Sequence, residues 1–185
     1  MLEVTIPSQE FYDEATNTFT TVKETKLKLE HSLVSLTKWE SKWHKPFLGK
    51  SSVDSKKTVE ETLDYIRCMT LTQNVDPSIF YCIPQSVIDQ VSDYIDNPMT
   101  ATWFSEDGKK GTANKEVITS EILYYQMITL GIPFECQKWH LNRLLTLIRV
   151  CAIKNAPPKK MSKKELAKRN SALNAARRKA MNSKG

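Results

Sequence analysis

Glycine is scarce in this sequence, and the scarcity limits what the protein can do. Its five glycines stand at positions 49, 108, 111, 131 and 185. Neither a Walker A loop nor a GxGxxG turn can be formed, because both need glycines at fixed spacings that do not occur here. We therefore expect no nucleotide-dependent activity of these kinds.

Cysteine and histidine are also few, and they form no strong motif. Cys68, Cys82, Cys136 and Cys151 lie in apolar segments without a CxxC pair, which predicts reduced core residues. Cys136 and His140 are four residues apart on a predicted helix and could present two metal ligands. Because no second ligand pair has zinc spacing, a core thiol and a near-surface imidazole are favoured. We expect no cofactor, and no residue is assigned a catalytic role.

The sequence has no apolar run of the roughly 18–20 residues that a membrane span needs. The N-terminus, MLEVTIPSQEF, lacks the basic region and apolar core of a signal peptide. A cytoplasmic protein without membrane contact is expected.

Charge is divided unequally along the chain. The whole sequence has a net charge of +6, but residues 154–185 contain eight Lys, three Arg and one Glu. This segment therefore carries +10, which leaves −4 for residues 1–153. An acidic body with a basic tail indicates that the tail has a role of its own.

The N-terminal region predicts a small antiparallel sheet. Residues 2–6 alternate between apolar and polar side chains and stop at Pro7, and residues 21–29 alternate again. Residues 8–20 between them look turn-like. Residues 99–104, MTATWF, have the composition of a further edge strand.

Helical periodicity predicts five helices in the body. Ser32 begins the first, which ends near His44, and Thr58 begins the second with a Thr58–Glu61 capping box. Pro84 starts the third. The fourth runs from Asn114 to Leu130, and its expected inward residues are Val117 or Ile118, Ile122, Tyr125, and Ile128 or Thr129.

The fifth predicted helix, residues 131–155, is the most apolar. Leu141, Leu144 and Ile148 follow one stripe, while Leu147 lies on the opposite side. A helix that is apolar on two faces normally lies in the core. The predicted fold is mainly α (α+β): a helical bundle around this central C-terminal helix, with a small N-terminal antiparallel sheet. Residues 1–155 form the globular domain, and residues 156–185 form a basic helical or disordered tail.

The tail contains a second capping box, Ser162 to Glu165, followed by helix formers with a thin apolar face. Such a helix is marginal in water, so we expect it to be frayed until something binds it. It can neutralise nucleic-acid phosphates or fold onto an acidic protein. The lack of aromatics argues against stacking on single strands. The candidate binding residues are Lys159, Lys160, Lys163, Lys164, Arg169, Arg177 and Arg178.

Three aromatics near the end of the first helix form the second candidate site. Trp39 and Trp43 are four residues apart, and Phe47 follows four residues later. Such residues are most often part of a core, but an aromatic cluster beside a loop is also how a partner groove is built.

Three stretches of the sequence are distinctive when they are taken together in order. They are LEHSLVSLTKWESKWHKPFL at 29–48, TVEETLDYIRCMT at 58–70, and EILYYQMITLGIPFECQKWHLNRLLTLIRVCAIKN at 121–155. The tail text PPKKMSKKE and residues 168–178 continue the series. In these stretches, which cover most of the chain, the sequence resembles the tail assembly chaperones of long-tailed (siphovirus-type) bacteriophages.

The resemblance implies a small, mostly helical, non-enzymatic protein. Such chaperones coat or hold the long, aggregation-prone tape measure protein while tail tube subunits polymerise around it. The partners that the resemblance suggests are the tape measure protein, the tail tube protein and further copies of this chain. They work in the host cytoplasm and are usually absent from the finished virion. The family often makes a longer frameshifted product, which here would extend the segment after Pro158. The alternatives are a nucleic-acid-binding protein acting through the basic tail and a minor structural component of the virion.

Overall fold

The computed structural model describes residues 1–13, 17–48, 57–104, 117–157 and 163–182. Within them the protein is mainly helical, with six α-helices and small antiparallel two-stranded sheets near the N-terminus, an α+β fold. The chain divides into two compact units, Met1–Ile153 and Lys154–Gly185. No helix of the described segments has the length and apolar content needed to cross a membrane.

The predicted N-terminal sheet is confirmed. Strand β1 (Leu2–Ile6) pairs antiparallel with β4 (Thr25–Leu29), and Val4 lies opposite Leu27. Alternate side chains of both strands are buried, as period-two alternation requires when one sheet face covers a core.

The prediction that residues 8–20 are only turn-like is wrong. Strand β2 (Gln9–Asp13) and strand β3 (Thr18–Val22) form a second antiparallel ladder. The threonines and valine of β3 are β-branched residues, which suit extended backbone even where the strand is mostly polar. Residues 99–104, predicted as an edge strand, have no strand structure.

The first two helices begin where their caps predict. Helix α1 (Leu33–Trp43) is capped by Ser32, whose side chain accepts a hydrogen bond from the Ser35 backbone N–H, and the helix ends at His44. Helix α2 (Val59–Met69) carries the predicted reciprocal capping box between Thr58 and Glu61. These signals are local, so sequence spacing alone identifies them.

A 3-10 helix at Pro77–Tyr81 precedes helix α3 (Gln85–Asp96), which starts directly after Pro84 as predicted. Helix α4 covers Ser120–Thr129. Residues 117–119 are not helical, and Asn114, the predicted cap, lies outside the described residues.

The inward face of α4 also differs from the prediction. Ser120, Leu123 and Met127 are buried, whereas Tyr125 and Ile128 are exposed. Because α4 has apolar residues on all sides, its sequence period does not single out one inward face.

The predicted continuous helix over residues 131–155 is wrong. Gly131 has a φ of +66°, a second 3-10 helix covers Phe134–Lys138, and helix α5 covers only Leu141–Asn155. Between them His140 pairs with Ser32 in an antiparallel bridge, and the Leu141 N–H donates to the His31 carbonyl at 2.7 Å. These contacts with the start of α1 hold residues 139–140 in an extended conformation.

The buried side chains form two hydrophobic clusters, and α1 contributes to both. Trp39 belongs to the first cluster, with strands β1 and β4 and helices α2 and α3. Leu33 and Leu36 belong to the second, with α4, the second 3-10 helix and α5. The element that the two clusters share is therefore α1, whereas α5, predicted as the centre, packs in the second cluster.

The second unit contains helix α6 (Lys163–Ala180), which matches the predicted tail helix. None of its residues is buried. Its predicted cap, Ser162, lies outside the described residues.

Trp39 provides a test of the first cluster. It is 1% exposed, and its Nε1–H donates to the Glu61 carbonyl at 2.9 Å. We expect Trp39→Ala to lower the free energy of unfolding by about 3–5 kcal/mol, because it leaves a large cavity and an unused carbonyl.

The matched control is Trp103→Ala, since Trp103 is 83% exposed. This control should change stability by less than about 0.5 kcal/mol. Urea unfolding followed by circular dichroism measures both, and equal effects of the two substitutions would contradict the assignment of Trp39 to the core.

Candidate protein-interaction site

The three predicted aromatics do not form one exposed cluster. Trp39 is buried, and the Phe47 ring packs against Tyr65 with centroids 4.1 Å apart. Phe47 also meets Trp39 edge-on at 5.2 Å, and Lys57 Nζ lies 3.6 Å from the centre of the Phe47 ring. Trp39 and Phe47 therefore face the interior, and Trp43 is the member that lies closer to the surface.

Trp43 is half-buried at the junction of α1 and α2. Its Nε1–H donates to Asp64 Oδ2 at 2.9 Å, and Lys42 forms an ion pair with the other carboxylate oxygen of Asp64. The Lys42 ammonium also lies 5.5 Å from the Trp43 ring centre. Asp64 is thus held by two donors from α1, which fixes the two helices against each other.

A surface groove begins beside this junction, and we call it the α1–α2 groove. It runs between α1, α2 and the first 3-10 helix, and it has both charged and apolar walls. Its lining residues are Lys42, Glu60, Leu63, Asp64, Arg67, Pro77, Phe80 and Tyr81. A second depression adjoins it and adds Lys38 and Cys68.

The apolar part of the groove has a floor and an exposed wall. Phe80 is buried and Leu63 is half-buried, whereas Tyr81 is 81% exposed. An exposed tyrosine beside a partly apolar depression is typical of protein-binding surfaces, because it offers a large contact area and a hydroxyl at a small entropy cost.

The charged part is mostly basic once its internal ion pair is counted. Lys42 and Asp64 neutralise each other, which leaves Lys38 and Arg67 against Glu60. Helix α1 itself contains one carboxylate, that of Glu40, and this residue is buried. The outer surface of α1 is therefore basic although the body as a whole is acidic.

Two histidines meet in the interior, away from this groove. His31 Nδ1 lies 2.6 Å from the Tyr65 hydroxyl, and the His31 and His140 rings are 5.1 Å apart. His140 Nε2 lies 3.0 Å from the Tyr94 carbonyl, to which it donates, so this nitrogen carries the proton. The Tyr94 hydroxyl in turn donates to Glu30 at 2.7 Å.

Burial controls the protonation of this histidine pair. Burial first, and then the charges of His140 and Lys57, lower the pKa of His31 to about 3. Burial also lowers the pKa of His140, although its hydrogen bond to the Tyr94 carbonyl opposes the effect. Both imidazoles are therefore neutral at pH 7 and act as hydrogen-bonding groups that join α1, α2, α3 and the start of α5.

The Cys136 and His140 pair has the arrangement of core residues. Cys136 is buried in the second 3-10 helix, and His140 is buried too, not near the surface as expected. Across the described part of the chain, no group of three or more His, Cys, Asp or Glu side chains is arranged to hold a metal ion.

The predicted basic residues fall into two sets. Five lie on α6 with exposed side chains: Lys163, Lys164, Arg169, Arg177 and Arg178. Lys159 and Lys160 lie outside the described residues.

Sequence reasoning missed Arg67 and Tyr81, which line the α1–α2 groove. Arg67 and Tyr81 are 14 positions apart in the numbering and come from different elements, so no local spacing connects them. The available signal was Tyr81 itself, an aromatic residue in a short segment between Pro77 and Pro84.

Comparisons of this chain with protein families, with curated proteins and with solved structures gave no match.

The buried histidines predict an acid-sensitive fold. The pKa of His31 is lowered from 6.5 to about 3, and His31 is 2% exposed. The unfolded chain therefore binds a proton at this site below pH 6.5, while the folded chain does not. His31 alone should lower stability by about 1.4 kcal/mol for each pH unit below its unfolded pKa, and the loss should continue towards pH 3.

Urea unfolding at pH 7, 6.5, 6, 5.5 and 5 tests this expectation, since few carboxylates titrate in that range. His31→Gln should flatten the profile. His44→Asn, at the exposed end of α1, should leave the slope unchanged. An equally steep profile for His31→Gln would show that His31 is not the source of the acid sensitivity.

Proposed function

We propose that this protein is a non-enzymatic tail assembly chaperone of a long-tailed bacteriophage, which binds the tape measure protein and supports tail tube polymerisation. The observation that carries the proposal is the resemblance of three stretches and the tail text, in one order along most of the chain, to that family. The proposed place of action is the host cytoplasm, with the protein absent from the mature virion.

The α1–α2 groove supports the proposal as a surface for a protein partner. Its exposed Tyr81 and half-buried Leu63 offer apolar contact, and Lys38 and Arg67 offer cationic contacts beside it. This combination suits an amphipathic helical segment whose apolar side chains enter the groove and whose carboxylates face the two cations.

Two of the groove-forming elements lie in stretches that carry the resemblance. Residues 29–48 include α1, and residues 58–70 include α2. The tape measure protein is thus proposed to contact the body through the α1–α2 groove, beside Trp43. The basic tail is proposed to make a second, separate contact.

Co-expression with the tape measure protein of the same phage tests the function. The expected result is a larger soluble fraction of the tape measure protein and a complex that co-purifies. If its solubility is unchanged and no complex is recovered, the chaperone proposal fails.

Charge reversal tests the groove within that complex. Lys38→Glu with Arg67→Glu should reduce the recovered tape measure protein at least tenfold, because both cations are replaced by groups that repel an acidic segment. Tyr81→Ser should weaken recovery as well, and its exposed position makes unfolding an inadequate explanation.

The matched control is Lys26→Glu with Lys138→Glu, which makes the same change in net charge at exposed positions outside the groove. Recovery with this control should equal that of the natural sequence. Equal losses in the groove and control variants would contradict the proposed surface.

Mass spectrometry of purified particles separates the chaperone from a minor virion component. A chaperone should be missing from the particles. Stoichiometric recovery of this chain with the tail proteins would instead support a structural role.

A further inference from the structure

Helix α6 has its charges arranged on one broad side. The helix contains seven basic residues and one acidic residue. At about 100° per residue, six of the basic side chains fall within an arc of roughly 200°. These six residues, the cationic arc, are Lys163, Lys164, Lys168, Arg177, Arg178 and Lys179.

The part of the α6 circumference outside the cationic arc has a different composition. Leu166 and Leu173 form a thin apolar stripe there with two alanines, and both leucines are about half-exposed. Glu165 and Arg169 also lie on that side. The only acidic residue of the helix therefore lies outside the cationic arc.

The residues between the cations are all small or polar. They are Ala167, Asn170, Ser171, Asn174 and Ala175. No bulky apolar side chain keeps a binding partner away from this side, so the backbone of the helix can approach a polyanion closely.

We propose that α6 binds B-form duplex DNA by placing its cationic arc in the major groove, independently of base sequence. The major groove admits an α-helix and has phosphates along both walls. An arc of this width lets Lys168 and Lys179 reach one wall while Lys163 and Arg177 reach the other. This proposal does not depend on the proposed function of the body.

A protein partner explains this arrangement less well. A helix that packs on the Leu166–Leu173 stripe has only Arg177 and Lys163 of the cationic arc beside the contact. Lys164, Lys168, Arg178 and Lys179 point roughly 130–170° away from the stripe, so these four charges would contribute little to binding. An anionic membrane surface has the same difficulty, because an interfacial helix must direct its apolar stripe and the neighbouring cations towards the same lipids.

The form of nucleic acid follows from the same chemistry. Helix α6 has no aromatic side chain on which an unpaired base can stack, which disfavours single strands. The major groove of an RNA duplex is deep and narrow, and side chains cannot enter it as they enter B-form DNA.

Fluorescence anisotropy with the full chain tests the proposal. The probes are a labelled 20-base-pair DNA duplex of mixed sequence, the matching RNA duplex and one single strand, with vesicles containing anionic lipid as a further arm. The DNA duplex should bind most tightly. Six phosphate contacts predict a loss of roughly 10³-fold in affinity between 50 and 200 mM salt. Equal affinity for the RNA duplex or the single strand, or tighter binding to vesicles, would overturn groove docking.

Two sets of variants separate the cationic arc from the apolar stripe. Lys164→Gln, Lys168→Gln, Arg178→Gln and Lys179→Gln together should weaken duplex binding about 100-fold at 50 mM salt. The slope of log K against log[salt] should become shallower by roughly 3–4. The control, Leu166→Gln with Leu173→Gln, keeps every charge and should bind within about twofold of the natural chain.

A proline substitution tests whether the helix is needed. Ala172→Pro preserves all charges but breaks α6, as circular dichroism can verify, and should weaken duplex binding at least tenfold. Unchanged binding by this variant or by the four-residue charge variant would overturn the proposal. So would a loss in the Leu166→Gln/Leu173→Gln control as large as that in the charge variant.

Discussion

The fold of the body depends on a buried carboxylate in α1. Glu40 is 8% exposed, and its two oxygens accept hydrogen bonds from the backbone N–H groups of Phe47 and Ser120, at 2.8 and 2.7 Å. Ser120 begins α4, where a negative charge is favourable because the first N–H groups of a helix lack partners within it. One side chain therefore fixes both the chain segment after α1 and the start of α4. The Phe47 side chain packs against both hydrophobic clusters and α4 contributes to the second, so these bonds hold α1 next to both clusters.

The range of each interaction along the chain decides what the sequence can predict. The Thr58–Glu61 capping box and the β1 alternation each lie within a few residues, so the sequence predicts both. The partners of Glu40 lie seven and 80 positions away, and no local pattern connects them. The start of α5 also depends on residues that are distant in sequence. Contacts with His31 and Ser32, just before α1, hold residues 139–140 in an extended conformation. Apolar content alone therefore favoured a longer helix than the chain forms.

The candidate interaction site illustrates the same limit at the level of individual side chains. The spacing of Trp39 and Trp43 predicts that both lie near one helix face, but it does not say which of them the neighbouring helix covers. The answer comes from α2: the Glu61 carbonyl accepts the Trp39 Nε1–H, whereas Asp64, one turn later, accepts the Trp43 Nε1–H near the surface. The groove then needs Tyr81 from a third element. Its position depends on the packing of three segments, which a single sequence does not contain as a pattern.

The tail helix is the opposite case, because its arrangement follows from its own sequence. With no buried residue, α6 gains nothing from packing in an interior, so helix propensity and neighbouring charge pairs must supply its stability. Its six-cation arc also repels itself, and this repulsion weakens when an anion binds. A polyanion that binds the helical form alone therefore stabilises the helix by mass action. The prediction that the free tail is frayed, and the broad cationic side that we assign to DNA, are thus linked: the same charges that oppose helix formation in isolation favour it when a partner neutralises them.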